Sequence, residues 1–244
     1  MAYIMGLDAS IQKTGYCILD TEQPSTHFVE RGRLYTRSSD GILVQRLIKQ
    51  QKQITDKLEE FSIDFVSMEA PLFNVPESEE LYALNQYIHK VFLQRGTYVI
   101  CFPPQQLKAL ALPDRKVTSD EIGKAHMIME AQLYFNLEGR VVTDDEADAL
   151  HAGRLGKQFY RRYILKDRSE ELPPVTLKAF EGKKTFVRGD KKGTTEYTGI
   201  IYRENELFFD FKKIAQRQEL HKKEDIKNGR CKNNSKKQDS EKSC

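Results

Sequence analysis

Four acidic side chains have the spacing to do chemistry. Asp8 ends the first apolar run, in MGLDAS, and Glu69 ends another, in DFVSMEAP. Asp145 and Asp148 open a helical stretch, in TDDEADALHAG. Taken singly, each has an ordinary structural use: an Asp after a strand caps a turn, and acids in a first helical turn suit the helix dipole. Taken jointly, they have another. An i, i+3 pair lies on one helix face. If the strands ending in Asp8 and Glu69 are central neighbours in a sheet, a helix packed over that edge brings its two acids alongside. Four carboxylates held so closely repel one another unless cations sit among them. Oxygen donors without Cys or His select a hard ion, Mg²⁺ or Mn²⁺. Two such ions roughly 4 Å apart suit an in-line displacement at a phosphodiester, one activating water and the other stabilising the leaving oxygen.

The elements that must position these acids follow from periodicity. Tyr3 to Asp8, Gly15 to Leu19 and His27 to Tyr35 read as three strands of an antiparallel meander. From Ile42 to Phe61 the apolar residues recur at helical spacing, and Asp64 to Met68 is a short apolar strand. A helix over Glu77 to Arg95 stops at Gly96, and Thr97 to Phe102 is a fifth strand ended by Pro103 and Pro104. Two capping boxes follow: Thr118 to Glu121 predicts a helix to about Phe135, and Thr143 to Glu146 predicts one running to about Tyr163. The order is that of an α/β fold: a mixed five-stranded sheet flanked by helices. Beyond Leu172 short strands are predicted at Thr176–Ala179, Lys184–Val187, Glu196–Tyr202 and Leu207–Phe211, a small antiparallel β appendage over 172–212. In 213–244 large apolar residues nearly vanish, which predicts a basic, disordered tail. The division is thus 1–166, 172–212 and 213–244.

Charge sharpens the division. Residues 1–156 hold 16 Lys/Arg against 22 Asp/Glu, and residues 157–244 hold 23 against 14. An acidic body with a basic C-terminal third suits a carboxylate metal site beside a grip for a polyanion, although a merely solubilising tail has the same charge. The four cysteines, 17, 101, 231 and 244, make no C-x-x-C pair and no zinc-ligand spacing. Cys17 and Cys101 fall in apolar runs and read as buried thiols, hence a reducing, intracellular compartment. The N-terminal run breaks at Asp8, unlike a signal peptide, and no apolar stretch approaches the ~18 residues of a membrane span.

The segments GLDASIQKTGYCILD, VSMEAP, FPPQQLKALAL and DDEADALHAG together resemble the RuvC-type Holliday-junction resolvases of the RNase H-like superfamily. The last resembles that family's D-A-A-D-A-L ending, with Asp145 and Asp148 on its two acids. The resemblance spans residues 3 to 156. It implies an RNase H-like fold, a homodimer, and symmetrical nicking of four-way DNA junctions with Mg²⁺ at Asp8, Glu69, Asp145 and Asp148. There are departures. Asp8-Ala9-Ser10 stands where the family often has D-P-G, and the aromatic after the second acid is displaced, with Leu72 at its spacing and Phe73 one later. Compact size and a lysine-rich tail would suit a phage or another virus, acting in the host cytoplasm.

Further candidates are cations. Lys108, Lys116 and Lys124 fall between the fifth strand and the last acids, where the family carries lysines that meet phosphates; solvent-exposed helix lysine is an equal reading. Lys183, Lys184, Arg188, Lys191 and Lys192 crowd the expected appendage, and such density suits phosphate contacts without sequence readout. His151, three residues past Asp148, is within reach of a metal but is more simply a packed helix histidine. The stripe Leu81, Leu84, Ile88, Val91 and Phe92, flanked by Tyr82 and Tyr87, is broad enough to cover both the sheet and a second subunit; core packing alone explains it equally. Rival functions are a nuclease cutting forks, flaps and other branches, one acting on RNA–DNA hybrids, a catalytically silent branched-DNA binder, and an actin-like sugar kinase or ATPase. The last is disfavoured by length and by the lack of a glycine-rich phosphate loop.

Overall fold

The computed structural model describes residues 2–24, 26–69, 79–102, 104–112 and 123–180, and beyond them the backbone of four short strands between 183 and 210. Strands β1 (Tyr3–Asp8), β2 (Lys13–Asp20) and β3 (Glu30–Tyr35) form the expected antiparallel meander. Helix α1 (Leu43–Glu60) crosses to β4 (Ile63–Glu69), which lies parallel to β1. Helix α2 (Glu79–Arg95) crosses to β5 (Tyr98–Phe102), parallel to β4. Then come α3 (Pro104–Ala111), α4 (Lys124–Tyr134), α5 (Asp144–Phe159) and α6 (Pro174–Phe180). The chain thus has the mixed sheet, flanked by helices, of the RNase H-like fold.

Period-two alternation divides the strands between two cores. Met5, Leu7, Ile18, Val66, Met68, Val99 and Cys101 face α1 and α2, where Ile54, Leu58, Leu84, Ile88 and Phe92 are buried against them. The stripe on α2 is therefore spent on the sheet, with Tyr82 left exposed. Ile4, Phe65, Ile100 and Phe102 point the other way, toward Leu107, Leu155, Phe159, Leu172 and Phe180. The packing continues past Lys166, because Leu172 and Phe180 belong to this core.

Helix α5 lies against β1, β2 and β4 at very short range. A methyl group on Gly6 would stand 2.5 Å from the Gly153 nitrogen, and one on Gly153 would stand 2.5 Å from Cys17 Sγ. Larger residues at either place would lift the helix from the sheet. At the far end of α5, Lys157 is wholly buried. Its Nζ donates to the carbonyls of Gln23 and Pro24, each at 2.9 Å. Burial, and then Arg161 nearby, pulls its pKa down to about 8.

Two expectations need correction. Thr176–Ala179 is helical, as part of α6. Pro174 takes the first helical position, where a missing N–H costs nothing, and the Pro173 carbonyl accepts from Thr176 and Leu177. The expected β appendage is also divided: β6 (Lys183–Thr185) pairs with β7 (Thr195–Tyr197), whereas β8 (Ile200–Arg203) pairs with β5 and carries β9 (Glu206–Asp210), so the main sheet has seven strands in the order β3-β2-β1-β4-β5-β8-β9. The capping box at Thr118–Glu121 and the tail at 213–244 lie outside the described residues. Among the described residues, no helix is long and apolar enough to cross a membrane.

Candidate active site

Asp8 is the last residue of β1 and Glu69 the last of β4. The strands are parallel neighbours, with Leu7 opposite Met68. The two acids therefore end adjacent strands side by side, both on the α5 face of the sheet. The N-terminal end of α5 supplies the other two, Asp145 in its first turn and Asp148 at the start of its second. The first turn is held by a capping box: Thr143 Oγ1 accepts from the Glu146 backbone N–H, and a Glu146 carboxylate oxygen accepts from the Thr143 N–H at 3.1 Å. Arg31 on β3 clamps it from the side, donating to Glu146 at 2.8 Å and to the Val141 carbonyl at 3.1 Å. Gly15 on β2 makes the approach possible, since a methyl group there would fall 1.9 Å from the Asp145 carbonyl oxygen.

The electrostatics show the four acids acting on one another. The Asp8 carboxyl is held well above the usual range, first by burial and then by the charges of Asp148, Glu69, Asp145 and Asp144. Burial followed by Asp148 lifts Glu69 to about 7, against the opposing pull of Lys108. Asp148 rises to about 6, mainly through burial, although Lys108 and Lys124 draw it down. Asp145 is raised by burial and by Asp144, and lowered by Arg33, Lys13 and Lys124. Among the described residues, no group of three His, Cys, Asp or Glu side chains converges tightly enough to grip an ion as it stands. The donor set nonetheless fits a hard divalent cation. Four mutually repelling carboxylates lack sufficient positive charge of their own, and every donor is an oxygen.

The cations divide. Lys108, in the last turn of α3, sits close enough to Glu69 and Asp148 to shift both. Lys124, at the start of α4, forms an ion pair with Asp144. That pair holds Asp144 below its ordinary pKa. Phe73, Lys116, Arg188, Lys191 and Lys192 lie outside the described residues, and Lys183 and Lys184 are described in backbone only. His151 does not join the acids. It is buried, with Nε2 3.0 Å from the Met127 carbonyl, and ties α5 to α4. Burial lowers it to about 4, so it is neutral at physiological pH.

Sequence reasoning missed two groups here. Arg31 and Arg33 alternate on β3 and both face α5, Arg33 with its guanidinium 3.9 Å from Asp145. Gly6, Gly15 and Gly153 set how closely the helix approaches. Their roles depend on strand register, which periodicity within one strand does not reveal.

No protein-family model and no curated protein sequence matches the chain. Solved structures do. RuvC of T. thermophilus in complex with a Holliday junction substrate is 16% identical, with a TM-score of 0.53, over 66% of this chain and 96% of that one. The Thermus thermophilus RuvC structure also matches at 16% identity, with a TM-score of 0.54, over 66% and 95%. The yeast mitochondrial Holliday junction resolvase Ydc2 matches at 11% identity over 68% and 86%, at a TM-score of only 0.39. At these identities the shared property is the fold. The viral source expected from size and tail has no support among these matches.

Proposed function

We propose that this chain is a metal-dependent endodeoxyribonuclease that resolves four-way DNA junctions by paired, symmetrical nicks. The observation that carries the proposal is the meeting of Asp8, Glu69, Asp145 and Asp148 at one edge of a RuvC-like fold, each raising or feeling the charge of others. These four residues would hold Mg²⁺ or Mn²⁺, two ions per site. Such ions supply a nucleophilic water and a counter-charge for the leaving oxygen. The chain's own groups do the rest. Gly15 and the Thr143–Glu146 box fix the height of Asp145 and Asp148 above Asp8. Lys108 offers a cation beside Glu69 and Asp148, where a phosphate oxygen would lie. Lys116, Lys124, Lys191 and Lys192 are assigned to phosphate contacts, and Phe73 to the junction centre. Two copies of the chain are needed for two opposed nicks, so the working form is a homodimer. The compartment proposed is the cytoplasm, where Cys17 and Cys101 stay reduced.

The test is cleavage of a labelled four-way junction, a fork, a linear duplex and an RNA–DNA hybrid with Mg²⁺, with EDTA and with the Asp8→Asn protein. Paired nicks on the junction alone, lost in EDTA and in the variant, are the expected result. Equal cutting of the fork would make the enzyme a general branch nuclease. Binding of the junction without any cutting would make it a silent branched-DNA binder.

A further inference from the structure

One row of residues crosses the sheet beside the acids. Asp8 on β1 is paired with Gly15 on β2, and Gly15 is paired with Arg33 on β3. Directly opposed residues project to the same face, so Arg33 shares the α5 face with Asp8, two strand spacings or about 10 Å away. The next row outward pairs Lys13 with Tyr35, on that face again. The three residues Lys13, Arg33 and Tyr35 therefore extend the acid site toward the β3 edge, past the first turn of α5.

Their surroundings distinguish them from ordinary packing. Arg31, two residues back along β3 on the same face, is fully engaged by Glu146 and Val141. Arg33 makes no hydrogen bond among the described residues. Its 3.9 Å approach to Asp145 is too long for one, and both side chains are partly exposed, 27% and 20%. A pair of that kind contributes little to stability. The guanidinium is braced instead over the Tyr35 ring, 5.2 Å from its centroid, and Tyr35 is itself 40% exposed. Lys13 is exposed and makes no hydrogen bond or ion pair among the described residues, yet lies close enough to lower Asp145. Two cations with free donors, one held in place by an aromatic face, border an acidic site that itself repels a polyanion.

We propose that Lys13 and Arg33, braced by Tyr35, form a phosphate-binding subsite for the DNA strand flanking the scissile bond on the β3 side. The subsite rests on the nuclease reading above. It lies across the acids from Lys108, so that the strand would pass over the carboxylates from one cationic border to the other. A planar guanidinium suits bidentate contact with a phosphate, and a lysine adds a point charge. Neither reads base identity.

The experiment measures affinity of the full chain for a labelled four-way junction in EDTA across a salt series, with melting temperature as a control. Removing one cation that meets a phosphate should reduce the slope of log affinity against log salt by about 0.9. The Lys13→Gln/Arg33→Gln protein should show a slope shallower by about two and binding weakened about tenfold or more. Arg33→Lys should recover part of the loss. Tyr35→Ala should weaken binding less, and Tyr35→Phe less still. If Arg33→Gln fails to fold, the exposed Lys13→Gln alone should lower the slope by about one. Unchanged slopes in folded variants, with a wild-type chain that binds and cuts junctions, overturn the subsite only. A wild-type chain that neither binds nor cuts branched DNA overturns the nuclease reading, and the subsite with it.

Discussion

The two ends of α5 bury charge in opposite ways. At its C-terminal end Lys157 is wholly enclosed and satisfied by two carbonyls at 2.9 Å. At its N-terminal end Asp145 and Asp148 are pressed toward Asp8 and Glu69, and like charges raise one another. The first arrangement is a solved packing problem, in which a buried charge has its partners. The second leaves repulsion in place within a fold that otherwise removes it. One helix thus carries an anchor and a strained site, and the anchor end holds the strained end in position.

The most severe way to break this contrast is to separate the helix from the sheet. Gly153→Val should lose about 10³-fold or more in junction cleavage and about 3 kcal/mol or more of stability, because the added atoms meet Cys17 Sγ and the Gly6 backbone. Melting curves and single-turnover cleavage check it.

Asp8→Asn should cost about as much activity, through loss of a donor and a charge, yet have the opposite effect on stability. The sign follows from proton binding. Glu69 and Asp148, near 7 and 6 in the folded chain against ordinary values of 4.5 and 3.8, bind protons more readily when folded. Their contribution is fully present below about pH 4 and is lost as pH rises through 6 to 7. In EDTA, Asp8→Asn should therefore melt higher than wild type at pH 7.5, with the gain shrinking toward pH 4. Mg²⁺ should raise the wild-type melting temperature and affect the variant less.

At the anchor, Lys157→Met should destabilise by about 0.5–1.5 kcal/mol, since the carbonyls of Gln23 and Pro24 lose their donor, while leaving the pH response of the acids in place. A folded pKa near 8 against 10.5 means that the unfolded chain binds more protons between these values. Wild-type stability should rise with pH across that window through this group, and Lys157→Met should flatten the rise.

The smallest effect belongs to His151. Its pKa of about 4 against 6.5 makes stability fall as pH drops from about 6.5 to 4, because burial keeps the ring neutral even though the Met127 carbonyl favours its charged form. His151→Gln should reduce that acid-side slope in a urea titration at several pH values.

How much of this was legible in the sequence depended on the range of the cause. The apolar runs ending in Asp8 and Glu69, and the Thr143–Glu146 box, are local patterns, and the structure places strands and a helix where they predict. The stretch 176–179 misled because Val175, Thr176 and Phe180 favour strands by type. Tertiary burial of Phe180 and a proline at the first helical position override that preference. Arg33 and Lys13 gave no local signal, because their position beside Asp145 comes from the pairing of β1, β2 and β3. The glycines gave none either, for a missing side chain is invisible to hydrophobic periodicity.

The seam between Gly6 and Gly153 has a consequence for tolerance. Neither residue has a rotamer to adjust, so the separation of helix and sheet is set by backbone atomic radii and not by the give of a side chain. Asp8 lies two residues from Gly6 on the same strand face, and Asp148 one helical turn and a residue before Gly153. Any change in sheet twist is therefore passed to the gap between the two acids undamped, and the site keeps its dimensions only as well as the sheet keeps its curvature.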